Sequence, residues 1–313
     1  MREGLDQRQF AVRMDWGLQG AQAISRGADF VVIVDVLSFT TTVSVALDQG
    51  AEVFPYQWRD DSARAFARQH RAVLAVGRSE VAAVRGPAAR AGAARGKPAA
   101  DVTAAGGGVA HAHPYAVSAA TALNAHGSVE SRPQQVSLSP ASIRASPGLD
   151  RIILPSPNGS ALASALVDGV EGVQVLGACL RNRTSVARWI TSQPSRSATP
   201  PVIAVVAAGE RWPDNSLRPA TEDLWGAGAV IAALDSLGVT GLSPEARSAA
   251  AAWHAVEPTL AAALASCSSG AELVDAGFGG DVVIAGELDA SACVPLLASG
   301  RFADAAKDRN LGT

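Results

Sequence analysis

Apolar and polar positions alternate in blocks along this chain, and the clearest block runs from Val31 to Gly50. An unbroken apolar run ends at Asp35, which predicts a strand buried on both faces, as in a parallel sheet. A polar turn over 38–42 leads into an amphipathic segment that ends at Gly50, a residue suited to a helix C-terminus because glycine tolerates positive φ. We therefore expect Asp35 at the carboxyl end of a core strand and beside a helix N-terminus, where open α/β sheets bind ligands.

Similar blocks follow along the chain, and they predict an α/β sheet in which strands alternate with helices. Asp60 and Thr221 are expected to cap helices, and Trp16 with Gly17 to lie in a loop. The segments 44–56 and 163–177 share a helix–glycine–strand order, which is consistent with an internal duplication or with any two βαβ units. The predicted strands lie at 10–14, 31–34, 51–56, 72–76, 151–154, 173–176, 201–206 and 281–285, and the main predicted helices at 43–50, 60–70, 161–168, 185–191 and 221–234.

Length and composition favour a single α/β domain over 1–313. The chain has 313 residues, 48% of them apolar, which is enough to bury a sizeable core. The stretch 85–127 is rich in Ala, Gly, Arg and Pro, so we expect a low-complexity insertion there rather than a linker between domains. The Ala-rich C-terminal helices are expected to be core, with a homodimer interface as the alternative.

The charge pattern excludes several classes of partner. The formal net charge of −3 gives no basic footprint for a nucleic acid or an anionic membrane. No apolar stretch reaches the length of a membrane span, and the N-terminus lacks the plan of a signal peptide. The three cysteines, Cys179, Cys267 and Cys293, are far apart and form no CxxC pair. We therefore expect a cytoplasmic protein with reduced, buried thiols.

Polar side chains cluster at predicted strand ends and helix starts. Residues of these types also cap helices and stabilise turns without any further function. Three carboxylates, those of Asp35, Glu222 and Asp223, are however expected on one rim of the sheet. Such a group suits a hard cation such as Mg²⁺, which prefers a few carboxylates together with phosphate oxygens. The turn at 158–160 also offers backbone N–H groups to an oxyanion. The four clusters are Asp35 with Ser38, Thr40, Thr41 and Thr42; Asn158 with Gly159 and Ser160; Asn182 with Arg183; and Glu222 with Asp223.

Common catalytic motifs are missing from the sequence. It has no GxxxxGK[ST] phosphate loop, no GxGxxG after a strand, no GxSxG and no HExxH. Asp35 is not followed by the second aspartate of haloacid-dehalogenase-type phosphatases, because Leu37 stands at that position. These schemes therefore do not describe the site.

Several blocks, in this order, resemble those of the 2-phosphosulpholactate phosphatase family: DVLSFTTTVSVALDQGA at 35–51, GRSE at 77–80, SPNGSALA at 156–163, CLRNRTSVA at 179–187 and AAGERWPDNSLRPATEDLWGAGAVIAAL at 207–234. The resemblance implies a three-layer α/β/α fold with a largely parallel or mixed sheet. It also implies an Mg²⁺-dependent phosphatase that acts on a small anionic phosphomonoester, in the pathway to coenzyme M. The positions that it singles out are Asp35, Thr40, Thr41, Thr42, Asn158, Gly159, Ser160, Asn182, Glu222 and Asp223.

The chain departs from the family pattern at two arginines. The typical block DVLRATTT has Ser38 here in place of its arginine, and the typical NGTR has Ala161. Each lost guanidinium removes a charge-assisted contact of about 1.5–3 kcal/mol. The candidates to replace them are Arg78, Arg183, Arg211 and Arg218.

The expected reaction is metal-assisted hydrolysis of the phosphomonoester. Asp35, Glu222 and Asp223 would hold Mg²⁺, and the 158–160 amides and the threonine hydroxyls would bind phosphate oxygens. Two nucleophiles remain open, a metal-activated water and Asp35 itself. The alternative function is a catalytically silent family member that binds a small anionic metabolite.

Overall fold

A mixed sheet of nine strands, with the order β1-β7-β2-β6-β10-β11-β3-β5-β4, lies at the centre of the structure. This computed structural model describes residues 5–58, 60–78, 80, 136–169, 172–194 and 200–308. All of these residues belong to one compact unit. The predicted insertion at 85–127 lies outside the described residues.

The strands and helices of the described part have the following bounds. The strands are β1 Val12–Trp16, β2 Phe30–Val34, β3 Glu52–Tyr56, β4 Val73–Leu74, β5 Arg151–Pro155, β6 Gln174–Ala178, β7 Ile203–Ala207, β8 Glu210–Arg211, β9 Leu217–Arg218, β10 Pro295–Ala298 and β11 Arg301–Asp304. The helices are α1 Gly17–Ile24, α2 Phe39–Asp48, α3 Asp61–His70, α4 Pro140–Arg144, α5 Gly159–Gly169, α6 Arg183–Ser192, α7 Thr221–Ser236, α8 Pro244–Val256, α9 Leu260–Ser266, α10 Ser268–Asp275 and α11 Gly279–Ala285. Strands β8 and β9 form a separate hairpin.

Helices cover both faces of the sheet, which confirms the predicted three-layer α/β/α arrangement. All five residues of β2 are buried, and successive side chains point to opposite faces. Val32 and Val34 pack in a core with α6, α7 and α8. Val31 and Ile33 pack in a second core with α1, α2 and α5. A strand buried on both sides is the reason for the unbroken apolar run in the sequence.

Apart from the edge strand β1, the sheet is symmetric about the β10–β11 hairpin. Outward from the hairpin the order is β6, β2, β7 on one side and β3, β5, β4 on the other. Strands β2, β3 and β4 therefore occupy positions equivalent to those of β5, β6 and β7. The two sets each have the plan β-α-β-α-β. Strand β2 pairs in parallel with β6, and β3 in parallel with β5. The β10–β11 hairpin lies between them and pairs antiparallel with both neighbours. This symmetry is the arrangement that a duplicated unit would give, and it makes the start of α2 equivalent to the start of α5.

Some predicted elements are wrong in type or extent. Residues 281–285 were expected to form the last strand, but Asp281 and the apolar residues after it belong to helix α11. A short apolar run does not distinguish a strand from a buried helix, and the tertiary context decides. Gly17 begins helix α1 instead of lying in a loop. The N-cap residue of α7 is Ala220, and Thr221, which was expected to cap this helix, is its first residue. No helix in the described ranges combines the length and the apolar character that a membrane crossing requires.

Candidate active site

The carboxylate of Asp35 lies between the N-termini of two helices. Its Oδ1 accepts a hydrogen bond of 2.9 Å from the backbone N–H of Phe39, at the start of α2. Its Oδ2 accepts one of 3.1 Å from the backbone N–H of Gly159, at the start of α5. These two N–H groups and the positive ends of the two helix dipoles favour the ionised form of the Asp35 carboxylate. A side chain at position 159 would collide with this arrangement, since a Cβ there would lie 2.2 Å from the Phe39 ring.

Asp35 faces a cavity of about 260 Å³. Among the described residues that line this cavity, Arg78 is the one basic side chain. The Arg78 Nε donates to Asp281 Oδ2 at 2.8 Å, and its Nη2 donates to Ser38 Oγ. Arg78, which comes from the segment after β4, therefore places a guanidinium beside the Ser38 hydroxyl on the cavity wall.

Glu210 is a site residue that the sequence analysis missed. It follows β7 and lines the cavity together with Asp35 and Asn158. The Asn158 Nδ2 donates to Glu210 Oε2 at 2.9 Å, which ties the loop after β5 to the loop after β7. The sequence signal was present in the GER of the 207–234 block, directly after a predicted core strand.

Glu222 and Asp223 lie behind this cavity, at the start of α7. Both oxygens of Asp223 accept backbone hydrogen bonds, from Val36 N at 2.7 Å and from Gly209 N at 2.8 Å. Asp223 therefore joins the loops that carry Asp35 and Glu210. Glu222 is 2% exposed, and its Oε2 accepts a hydrogen bond from the Cys267 thiol at 3.5 Å.

The buried acids of this cluster repel one another. Burial, then the charge of Glu210 and of Glu222, raises the pKa of Asp35 to about 7. Burial, then the charges of Asp35 and Glu222, raises the pKa of Asp223 well above its ordinary value. Burial and Glu222 likewise raise the pKa of Glu210, although the hydrogen bond from Asn158 lowers it. Because these carboxylates repel one another, a cation bound beside them would lower their pKa values and stabilise their ionised forms.

The hydroxyls of Thr40, Thr41 and Thr42 each donate to a backbone carbonyl group of the Asp35 loop. Thr40 Oγ1 donates to Asp35 O at 2.7 Å, and Thr41 Oγ1 donates to Val36 O at 2.8 Å. Thr42 Oγ1 donates to Ser38 O at 2.8 Å. These hydrogen bonds use the one proton of each hydroxyl and shape the Asp35 loop. The expected substrate-binding role of the three threonines stays a prediction, and Thr42 is among the residues that line the cavity.

Ser160, Asn182 and Arg183 do not line the cavity. Ser160 Oγ donates to Leu154 O at 2.6 Å, inside the turn before α5. Asn182 accepts from Cys179 N at 2.8 Å and is fully buried. Arg183 pairs with Asp289 and Glu257, and its guanidinium stacks on the Trp253 ring. These contacts hold loops and helices together, and the expected contact of the three residues with substrate stays a prediction.

The donor set fits a divalent cation bound through few protein ligands. Within the described ranges, no three His, Cys, Asp or Glu side chains form a group that would hold a metal by themselves. Mg²⁺ does not need such a group, because it keeps several waters and binds through one or two carboxylates together with substrate phosphate oxygens. Asp35 and Glu210 are two carboxylates that line one cavity, which is the number of protein ligands that such a site needs.

These features define a three-layer α/β protein with an acidic, arginine-containing cavity at the meeting point of two helix N-termini. The 2-phosphosulpholactate phosphatase family matches residues 131–300, and the chain belongs to this family. The match includes Asn158, Glu210 and the 222–223 pair, whereas Asp35 and Arg78 precede it. A comparison with curated proteins gave no match.

The raised pKa values predict an unusual pH dependence of stability. An acid whose pKa is raised by folding binds more protons in the folded chain, so folding stability falls as the pH rises from about 4 to 7. Since one pKa unit corresponds to about 1.4 kcal/mol, the shift of Asp35 predicts a Tm in EDTA that is lower at pH 8 than at pH 5, on the order of 5 °C. Glu287, whose pKa is lowered by Arg144, changes stability only below about pH 4.5, which is outside the range from pH 5 to pH 8. Thermal unfolding followed by circular dichroism measures the effect, and a Tm that rises over this range would contradict the described cluster.

Proposed function

We propose that this protein is an Mg²⁺-dependent phosphomonoester hydrolase that acts on a small anionic phosphoester. The family name gives one such ester, 2-phosphosulpholactate. The observation that carries the proposal is the position of Asp35. Its carboxylate lies between two helix N-termini and faces the same cavity as Glu210 and Arg78. The family membership supports the same reaction class.

The residues divide the work as follows. Arg78 binds the phosphate through a guanidinium that Asp281 and Ser38 orient. Asp35 and Glu210 would hold Mg²⁺, which supplies positive charge to the phosphate oxygens as the P–O bond breaks. Asn158 fixes Glu210, and the 2.9 Å hydrogen bond keeps that carboxylate on the cavity wall.

Two routes to the product stay open, and the geometry restricts both. In the first, a water attacks the phosphorus, the alcohol leaves with the ester oxygen, and the proton of the water passes to a carboxylate oxygen of the cavity that the metal leaves uncoordinated. In the second, Asp35 attacks and forms an acyl phosphate that water then hydrolyses. Both oxygens of Asp35 accept N–H groups, which fixes their position but lowers their nucleophilicity. The first route is therefore favoured.

Phosphate release from a panel of phosphomonoesters tests the proposal. The full-length protein is assayed with 2-phosphosulpholactate, phospholactate, phenyl phosphate and alkyl phosphates, with Mg²⁺, with EDTA, and after Mg²⁺ is restored. We expect release that EDTA abolishes and Mg²⁺ restores. Absence of release from every ester, together with retained binding of phosphate, would instead identify a catalytically silent family member that binds a small anion.

A further inference from the structure

We propose that a second cavity, next to the first, binds the alcohol part of the phosphoester, and that this alcohol is uncharged and apolar. The second cavity has a volume of about 310 Å³. The inference rests on the proposed phosphatase activity and adds the substrate class: phosphomonoesters with an aliphatic or aromatic group in place of a second anion.

The two cavities share a wall. Asn158 and Glu210 line both of them, and the hydrogen bond between these two side chains forms the boundary. A phosphate bound by Arg78 near Asp35 therefore lies next to this boundary. The ester oxygen of such a phosphate can point toward the second cavity, which is where the leaving alcohol has room.

Apolar side chains from four elements converge on the second cavity. Trp16 ends β1, Leu18 lies on α1, Leu162 lies on α5 and Leu217 lies on β9. Leu18 is 37% exposed and Leu217 is 42% exposed. A single exposed leucine needs no explanation, but two that face one cavity beside a buried acidic site mark a surface for an apolar ligand.

The apolar wall is fixed to the acidic site by close backbone packing. Gly17 and Gly209 have φ values of +58° and +68°, a region that favours glycine, and Leu217 packs on both of them. A Cβ at Gly209 would lie 2.7 Å from Leu217 Cδ1. The N–H of Gly209 donates to Asp223, and Glu210 is the next residue. The position of the apolar wall and that of the Glu210 carboxylate are therefore set by one short segment.

The described lining of the second cavity carries no net charge, because its charged side chains are Glu210 and Arg211. Position 161, where the family pattern has an arginine, presents a methyl group to this cavity. Arg211 also lines it, but its Nη1 donates to Asn215 O and its Nη2 to Pro157 O, each at 3.2 Å. Its guanidinium thus serves to hold the β8–β9 hairpin to the turn before α5. A sulfonate here would face the Glu210 carboxylate, whereas an alkyl group would be removed from water by the leucines.

A series of alkyl phosphates tests the inference, because ethyl, butyl and hexyl phosphate have similar leaving groups and differ in apolar length. We expect kcat/KM to rise about twofold to fourfold for each added methylene, the range set by burial of a CH₂ group. We also expect hexyl phosphate to be a better substrate than 2-phosphosulpholactate. A kcat/KM that stays level or falls from ethyl to hexyl phosphate would overturn the inference.

Matched variants locate the effect. Leu18→Gln and Leu217→Ala are expected to reduce the ratio of hexyl to ethyl kcat/KM at least threefold, whereas Leu237→Gln is expected to leave it unchanged. Leu237 is 41% exposed and lines neither cavity. Two variants are used because Leu217 packs on glycines and its replacement also affects folding. A ratio that Leu18→Gln does not change contradicts the assignment. EDTA-sensitive release without chain-length preference defeats this inference alone, whereas no release from any ester defeats the proposed function itself.

Discussion

Asp35→Asn is expected to lower kcat for phosphate release by roughly a thousandfold, which corresponds to about 4 kcal/mol of transition-state stabilisation. The substitution keeps the size of the side chain but removes its charge, so the cavity loses the carboxylate that would hold Mg²⁺. It also leaves one of two N–H groups, of Phe39 or of Gly159, without an acceptor, because an amide offers only one oxygen. Steady-state kinetics with phenyl phosphate and Mg²⁺ measure the change.

Two further measurements accompany this experiment, namely the activity of a second carboxylate variant and the Tm of Asp35→Asn. Glu210→Gln removes a second cavity carboxylate without affecting the helix N-termini, and we expect kcat to fall at least tenfold. The Tm of Asp35→Asn, measured in EDTA at pH 8, is expected to lie within a few degrees of the original, because the lost hydrogen bond and the relieved repulsion between acids oppose each other. If a folded Asp35→Asn variant turns over at the original rate, Asp35 has no catalytic role.

Arg78→Ala is expected to lower kcat/KM by about 10- to 150-fold, mainly through KM. The reason is that Arg78 is the one basic side chain among the described residues on the cavity wall, and a charge-assisted contact to phosphate contributes about 1.5–3 kcal/mol. Arg78→Lys is expected to recover part of the loss, since lysine keeps the charge but not the fork of N–H groups that contacts Asp281 and Ser38. Initial rates over a range of substrate concentrations give both constants.

Two other arginines provide the comparison. Arg151→Ala removes a half-exposed arginine that pairs with Glu52 and does not line the cavity, and we expect KM within twofold of the original. Arg183→Ala tests the expectation drawn from the sequence that Arg183 binds substrate. Its ion pairs with Glu257 and Asp289 predict a lower Tm and little change in KM. An increase in KM that is larger for Arg183→Ala than for Arg78→Ala would reverse the assignment.

The sequence was sufficient to predict the elements that depend on local pattern. The apolar run before Asp35 is a strand buried on both faces, and Gly50 has the positive φ of +87° expected after a helix. Asp60 caps α3 by accepting from Ser62 N, also as predicted. These predictions succeeded because burial, capping and backbone freedom act over a few residues.

Long-range pairing is what the sequence did not show. Asp35 meets Gly159 through the symmetric arrangement of the β2–β4 and β5–β7 units, and the β10–β11 hairpin at the centre of that arrangement was not predicted. Arg78 reaches Ser38 from 40 residues away in the chain, and no local pattern in either sequence block indicates this contact. The threonines fit a phosphate site by type, but their protons are used by the carbonyl groups of their own loop.

Anomalous diffraction from crystals of the full-length protein grown with Mn²⁺ and phosphate tests the central claim most directly, since Mn²⁺ replaces Mg²⁺ and can be located without ambiguity. The account predicts a metal peak within about 2.5 Å of a carboxylate oxygen of Asp35 or Glu210, and a phosphate that bridges this metal and the Arg78 guanidinium. A phosphate bound elsewhere, or a metal peak away from both carboxylates, would contradict it.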